Sequence, residues 1–334
     1  MFTVVFIVRN EERSLPSAIR SLGNVPEVVV CDTGSDDGTV REARALGATV
    51  CEYEWSDDFS AARAFAASRA SFDWIVRFDA DERLDVTGPA GDRTWLANAI
   101  SNANDEGAAM ACIRREHAPG FVHWFPRCYS RSLWSWRYPV HELLVSQTGR
   151  RLPVVAADGA VVRHRPDSRR RPYREVLERA LLSAPSDPHL LYYLGQACVD
   201  EGLWAQALRN LDAYLASEGG YRWHRSEGHM LRARVLAALG HVDAALESYE
   251  SAHAACDPRA EPLHEAAILA ARSGRHERAF RYIDIGRVLA VPQELQLFGK
   301  PDVPYVIDIR AYREPAWQTT CHIVEHQRAH RQYD

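Results

Sequence analysis

The chain has 334 residues, 46% of them hydrophobic, and a formal charge of −5. That length is too great for one typical domain and comfortable for two, with apolar content enough for real cores. The negative balance excludes a global basic field that would gather nucleic acid or an anionic membrane, while local basic patches stay open.

The chain begins MFTVVFIVRNEER. This short apolar run meets charge at once and has neither a basic start nor a small-residue cleavage site. It therefore predicts a first, buried β-strand and not a signal peptide. No apolar run reaches the length of a bilayer span, so no transmembrane segment is expected. The seven cysteines, Cys31, Cys51, Cys112, Cys128, Cys198, Cys256 and Cys321, are scattered, odd in number and free of any CxxC pair. That usage predicts a reduced, cytoplasmic chain with core thiols, without a disulfide or zinc framework.

Strands and helices then alternate. SLPSAIRSL has helical spacing, PEVVVCD reads as a strand, and DGTVREARALG as a helix ending at Gly47. ATVCEYEW is a strand, DFSAARAFAASRAS a helix with Asp58 and Arg63 at its start, and DWIVRFDAD a strand. Such alternation predicts parallel strands joined by crossover helices. Ligands bind outside the carboxyl ends of such strands. Asp32 ends one strand, and Asp79 and Asp81 end another, so these acids should gather at one edge of the sheet.

The two halves are joined by RHRPDSRRRPYRE. Arg169, Arg170 and Arg171 there could touch phosphates, the commoner reading being a solvated linker. From about Pro188 the chain is nearly all helix, and it repeats. Gly202, Gly240 and Gly274 lie 38 and 34 residues apart, each between two helical stretches. Five residues after each stands an alanine: Ala207, Ala245 and Ala279. Pro258 and Pro292 each follow a glycine by 18 residues. The glycine lets the chain turn, and the alanine lets two helices approach closely. This period resembles the tetratricopeptide (TPR) repeat. The four extra residues of the first spacing fall in SEGGYRWHRS, which reads as a loop. After Pro292 the signal fades, and 315–332 reads as a last amphipathic helix capping the stack. The expected organisation is an α/β domain over 1–165, a linker and first helix over 166–187, all-α repeats over 188–292 and a capping segment over 293–334.

The chemistry centres on WIVRFDADERLD, where a buried-looking strand ends on two mutually repelling carboxylates. Residues i and i+2 of a strand point to opposite faces. Where the chain leaves the sheet, both can reach one ligand. Hard divalent cations take oxygen ligands and accept one or two carboxylates plus substrate phosphates. A lone Asp-x-Asp is common in surface turns. Here it follows, in order, IVRNEERSL, VVVCDTGSDDGT and WSDDFSAARAFAASRA.

With these four spaced motifs, residues 1 to about 165 closely resemble the family 2 inverting glycosyltransferases of GT-A fold, a Rossmann-like, mostly parallel α/β domain. The resemblance is closest to the subgroup in which a short GT-A domain precedes TPR-like repeats, relatives of lipopolysaccharide-core and peptide S-glycosyltransferases. It implies that Asn10 and Glu11 line the nucleotide pocket and that Asp32 holds the base, uracil by expectation. It also implies that Arg63 lies near the diphosphate, Asp79 by the ribose, and Asp81 on Mn²⁺ or Mg²⁺. The family often shows Arg-Asn where this chain has Arg63-Ala64.

In WFPRCYSRSLWSWRYPVHELL the pair His141-Glu142 matches a His-Glu pair of the family. An inverting transferase needs a base to deprotonate the acceptor, and Glu142 is the expected one. The bland alternative is that Glu142 pairs with an arginine. His164, ending GAVVRHRP, matches a late histidine that returns to the metal in such enzymes, and imidazole suits Mn²⁺ better than Mg²⁺. Arg127 is expected at phosphate. Trp124, Trp134 and Trp136 read either as an aromatic wall for a sugar or as core.

The function implied is a metal-dependent hexosyl- or pentosyltransferase. It would move sugar from a UDP-sugar or similar donor to a macromolecular acceptor: a peptide, a glycan or a modified DNA base. The repeats would grip the acceptor or pair two copies of the chain. The alternative is a catalytically inactive GT-A/TPR scaffold, although the Asp-x-Asp, Asp32 and Glu142 are all present. A nucleotidyltransferase would show a Gly-rich, basic loop near the N-terminus, and IVRNEERSL is not one.

Overall fold

A computed structural model describes residues 1–86, 94–118, 121–164, 173–218, 222–256, 259–289, 317–318 and 320–325. The chain divides into two compact units, with the boundary between residues 171 and 172. The arginine run 169–171, Pro258, Pro292 and most of the capping segment lie outside the described residues.

The first unit opens with β1 (Phe2–Val8), α1 (Leu15–Ser21), β2 (Val28–Asp32), α2 (Thr39–Ala45), β3 (Thr49–Glu52), α3 (Phe59–Ser68) and β4 (Trp74–Phe78). Next come β5 (Glu82–Val86), α4 (Trp95–Asp105), β6 (Met110–Ala118), β7 (Phe121–Ser130), β8 (Trp134–Arg137), β9 (Leu143–Ser146) and β10 (Val154–His164). Eight strands form one sheet in the order β3-β2-β1-β4-β7-β6-β10-β5, and β8 pairs with β9 in a separate hairpin.

The near half of the sheet, β3 to β4, is entirely parallel. Its strands are apolar on both faces, as burial beneath crossover helices requires. Val4, Val30 and Phe6 are wholly buried on one side, with Val29, Cys31 and Ile75 on the other. The far half is mixed: β7 runs antiparallel to both β4 and β6, and β10 runs parallel to β6. Two reversals restore the direction, so β10 points the same way as β4. The carboxyl ends of β1, β2, β4 and β10 therefore share one edge of the sheet.

The second unit contains α5 (Arg174–Ser183), α6 (Pro188–Asp200), α7 (Trp204–Ala216), α8 (Arg222–Ala238), α9 (Val242–Ala255), α10 (Glu261–Arg272) and α11 (His276–Arg287). The helices from α6 onward pair as hairpins, and Gly202, Gly240 and Gly274 turn each one at positive φ (73°, 81° and 80°). Glycine takes that conformation without the steric cost a Cβ would bring. Ala207, Ala245 and Ala279 are wholly buried where the helices meet. Gly195 serves the same approach, since a Cβ there would lie 2.8 Å from Leu211. The helical-repeat expectation is met. No helix among the described residues is long and apolar enough to cross a membrane.

Candidate active site

The strand ends build the site. β4 stops at Phe78, and Asp79 to Glu82 form a tight turn into β5. The Glu82 N–H donates to the Asp79 carbonyl at 3.1 Å, and the Asp79 N–H donates to Glu82 Oε2 at 3.1 Å. Glu82 is fully buried. Its carboxylate is held by the equally buried Arg127 of β7, which donates to both oxygens, and by Arg115 of β6 at 3.0 Å. Burial alone would raise the Glu82 pKa, but the Arg127 and Arg115 charges hold it below the usual carboxylate range.

Asp79 stands above this base. It accepts from Arg77 Nη2 at 3.0 Å and from Arg63 Nη2 at 3.2 Å. Burial would raise its pKa, and the neighbouring guanidiniums, Arg77 and Arg63 foremost, drive it far below the normal value. Arg63 projects from α3, whose first turn is capped by the Asp58 side chain accepting from the Ala61 N–H at 2.8 Å. The Arg63 Nε–H donates to Glu142 at 2.6 Å. Glu142 comes from the β8–β9 hairpin, whose loop carries Tyr138 and His141 at positive φ (76° and 52°). Such backbone is costly for residues with a Cβ and persists where surrounding structure over-determines it. Here the Phe59 N–H donates to the Pro139 carbonyl at 2.8 Å and ties that loop to α3. Burial pushes the Glu142 pKa up, and the Arg63 and Arg77 charges outweigh it, so the carboxyl is held below its usual range.

Aromatic rings pad the guanidiniums. Phe125 lies 5.1 Å from Arg77, 5.3 Å from Arg115 and 5.0 Å from Arg127, and Trp136 lies 5.3 Å from Arg63 and 5.6 Å from Arg77. Cations over ring faces recover some of the solvation they lose on burial. Trp136 also donates to the Tyr129 hydroxyl at 2.8 Å, and Trp124 is buried. These tryptophans support the arginines and the core.

Asp81, at the outer side of the turn, lies 3.0 Å from His164 Nε2, at the end of β10. The Asp81 side chain is 28% exposed and that of His164 8%. Their register follows from the sheet, because His164 pairs with Glu82 across β10 and β5. One carboxylate oxygen and one imidazole nitrogen form a donor pair of the kind that could hold a divalent cation. Among the described residues no group of three His, Cys, Asp or Glu is placed to hold a metal ion. The remaining positions of an ion there would fall to phosphate and water oxygens.

The edge near β1 and β2 is closed by its own loops. Asp32 accepts from the Gly34 and Ser35 amides at 3.2 and 3.0 Å. The Asn10 side chain accepts from the Asp36 N–H at 2.9 Å, and the Glu11 N–H donates to Thr39 Oγ1 at 2.7 Å. Asn10 takes φ 58° to do so. These three residues pin the β1 and β2 loops together.

Of the residues expected from sequence, Arg63, Asp79 and Glu142 form one contact chain, and Asp81 and His164 another. Arg127 departs from expectation. The guanidinium that was to meet phosphate is fully buried and closed by Glu82, so it fixes the turn under Asp79 and does not face a ligand. Sequence reading missed Arg77, Glu82 and Arg115. Their signal was charge in or beside apolar strand-like runs, where burial demands partners.

A mostly parallel sheet in which one strand ends on Asp-x-Asp, followed by TPR-like helical hairpins, defines a GT-A transferase architecture with a repeat domain. The family model Glycosyl transferase family 2 matches residues 3–170, and the chain belongs to that family. Among its relatives is a TPR repeat-containing protein of Synechococcus elongatus, 31% identical over 268 residues, covering 75% of this chain and 65% of that protein. An uncharacterized glycosyltransferase of Rickettsia typhi is 40% identical over 79 residues, covering 23% of this chain and 27% of its own. The lipopolysaccharide core biosynthesis glycosyltransferase LpsC of Rhizobium meliloti is 36% identical over 123 residues, covering 34% of this chain and 42% of its own. The chain thus spans less than two thirds of the length of each of these relatives. Among solved structures, S. aureus TarS aligns with a TM-score of 0.44 at 14% identity, over 73% of this chain and 54% of TarS.

Proposed function

We propose that this chain is a metal-dependent inverting glycosyltransferase that moves a sugar from a nucleotide-sugar, with UDP as the expected carrier, to a macromolecular acceptor. The observation that carries the reading is the meeting of Asp79, Arg63 and Glu142 in one contact chain beside Asp81 and His164 at the carboxyl edge of the sheet.

Asp81 and His164 would hold the divalent cation, with Mn²⁺ fitting the mixed oxygen–nitrogen pair better than Mg²⁺. The cation, when bound, neutralises charge on the departing diphosphate. Asp79, ionised between Arg63 and Arg77, accepts from the donor's ribose hydroxyl. Asp32 and the loops pinned by Asn10 and Glu11 border the nucleobase. Glu142 is deprotonated at neutral pH and takes the proton of the acceptor hydroxyl as its oxygen attacks the anomeric carbon. The new C–O bond forms on the face opposite the breaking bond to diphosphate, so configuration inverts.

The helical hairpins supply an extended surface that fits a chain-like acceptor, a peptide or glycan before a modified DNA base given the net charge of −5. Pairing of two copies through the repeats is their other use. Seven free cysteines suit a reducing, cytoplasmic setting.

Thermal stabilisation by a panel of nucleotides and nucleotide-sugars, with and without Mn²⁺, tests the proposal. A Mn²⁺-dependent rise with UDP or a UDP-sugar, absent in Asp81→Ala, supports it. No shift with any nucleotide overturns it in favour of an inactive scaffold.

A further inference from the structure

Arg63 serves two carboxylates with different tasks. Its Nη2 meets Asp79, on the donor side, at 3.2 Å, while its Nε meets Glu142, the acceptor-side base, at 2.6 Å. The shorter bond is the one that disables chemistry. A carboxylate oxygen that accepts a short, charge-assisted bond from a guanidinium is a poor proton acceptor. The groups facing Glu142 are Arg63 from α3 and Arg77 from β4, both cationic, with Asp79 reached through Arg63. As built, the base is locked.

With the donor placed as proposed above, the lock lies on its path. Arg63 is buried, its guanidinium is held by Asp79 and Glu142, and its remaining neighbour is the Trp136 ring at 5.3 Å, a contact without fixed hydrogen-bond geometry. A diphosphate seated beside Asp79 would offer several anionic oxygens to this same guanidinium, and a guanidinium binds phosphate in a two-pronged fashion.

We infer that Arg63 is a donor-operated latch on Glu142. In the empty site it holds the carboxylate, and an arriving nucleoside diphosphate draws it away and releases the base only when there is sugar to transfer. This rests on the donor and base roles proposed above. Arg63 acts on the acceptor step through Glu142 and is, for that step, a positioning residue.

Linkage makes the latch measurable. If phosphate and Glu142 compete for one guanidinium, each weakens the other's hold on it. Removing the Glu142 charge should therefore tighten diphosphate binding, which is the reverse of what loss of a merely structural ion pair brings. Calorimetric titration of the full chain with UDP and Mg²⁺, with GDP and dTDP alongside, is the experiment. In Glu142→Gln we expect UDP affinity to rise about fivefold or more, uridine affinity to stay unchanged, and the gain to vanish in the Arg63→Gln background.

Unchanged or weaker UDP binding in folded Glu142→Gln overturns the latch. So does a gain that persists without Arg63, since that marks plain charge repulsion. Should the glutamine variant not fold, the wild-type chain still decides the matter. The Arg63 Nε–H NMR signal, assigned by its loss in Arg63→Lys, should move upfield on adding UDP and Mg²⁺, and a signal that stays in place overturns the proposal. If wild type binds none of the three diphosphates, the donor reading itself has failed, a result distinct from binding without coupling.

Discussion

Asp81 and His164 meet at 3.0 Å although one leaves β4 and the other ends β10, three strands away across the sheet. The contact exists because β7 runs against both of its neighbours, which brings the ends of two distant strands to one edge.

If that pair receives the cation, Asp81→Asn keeps the shape and loses the charge. The Mn²⁺-dependent part of nucleotide stabilisation should disappear, with the metal-free melting temperature nearly unchanged because Asp81 is partly exposed. His164→Gln should shift the preference from Mn²⁺ toward Mg²⁺ by removing the nitrogen ligand. Differential scanning fluorimetry with each ion checks both.

Glu82 closes a buried cluster, and taking away one partner of a buried ion pair strands the other. Glu82→Ala should cost about 3–5 kcal/mol of stability, read as a lower urea midpoint. Replacing Glu82 and Arg127 together by leucine and methionine should recover much of it, because an apolar pair has no charge to desolvate.

The same cluster sets an acid limit. Asp79, Glu82 and Glu142 all have folded-state pKa values depressed below their ordinary ones. Depressed carboxylates contribute stability that is full above the unfolded value, about 4, and lost as pH falls from there toward the folded values. Denaturant midpoints measured from pH 7 to pH 2 should hold steady at first, then fall steeply below about pH 4.5. Glu82→Gln should flatten that fall.

Much of this was legible in sequence. Strands such as VVVCD and WIVRF announce themselves by continuous apolar character, and the repeats by Gly202, Gly240 and Gly274. Asp79 and Asp81 stand out as a carboxylate pair at a strand end, Glu142 and His164 through the family resemblance, and the fold links Asp79 to Glu142 through Arg63 and sets Asp81 against His164. Arg77, Glu82 and Arg115 were missed. Arg77 and Arg115 lie within β4 and β6 and Glu82 opens β5, and a charge in or beside a strand reads as solvated until the fold shows it buried. Arg127 was misjudged on the same ground. A cation beside a predicted site looks like a ligand contact, and only the fold reveals that Glu82 has already claimed it.

Cys31 and Cys51 face each other across β2 and β3. The bond from the Cys31 thiol, with help from Arg69, holds the partly exposed Cys51 below the usual thiol pKa, and burial opposes this. Because the thiolate is the nucleophile, Cys51 should be alkylated first among the seven cysteines, at a pH below the value of about 8.5 normal for cysteine. Peptide mapping after brief iodoacetamide exposure at pH 7 checks the order.

In the helical unit, Gly195→Val would drive a side chain into Leu211, whose nearest atoms lie 2.8 Å from a Cβ at that position. Overpacking of this kind costs about 1–3 kcal/mol, visible as a lowered thermal midpoint. Donor binding by the first unit should survive it.

The Asp79 amide donates to a carboxylate that water never touches. Its hydrogen is thereby protected and should trade for deuterium more slowly than the amides of exposed loops. The turn that bears the Asp-x-Asp is thus held from beneath, and its exchange rate reads how firmly Glu82 keeps it in place.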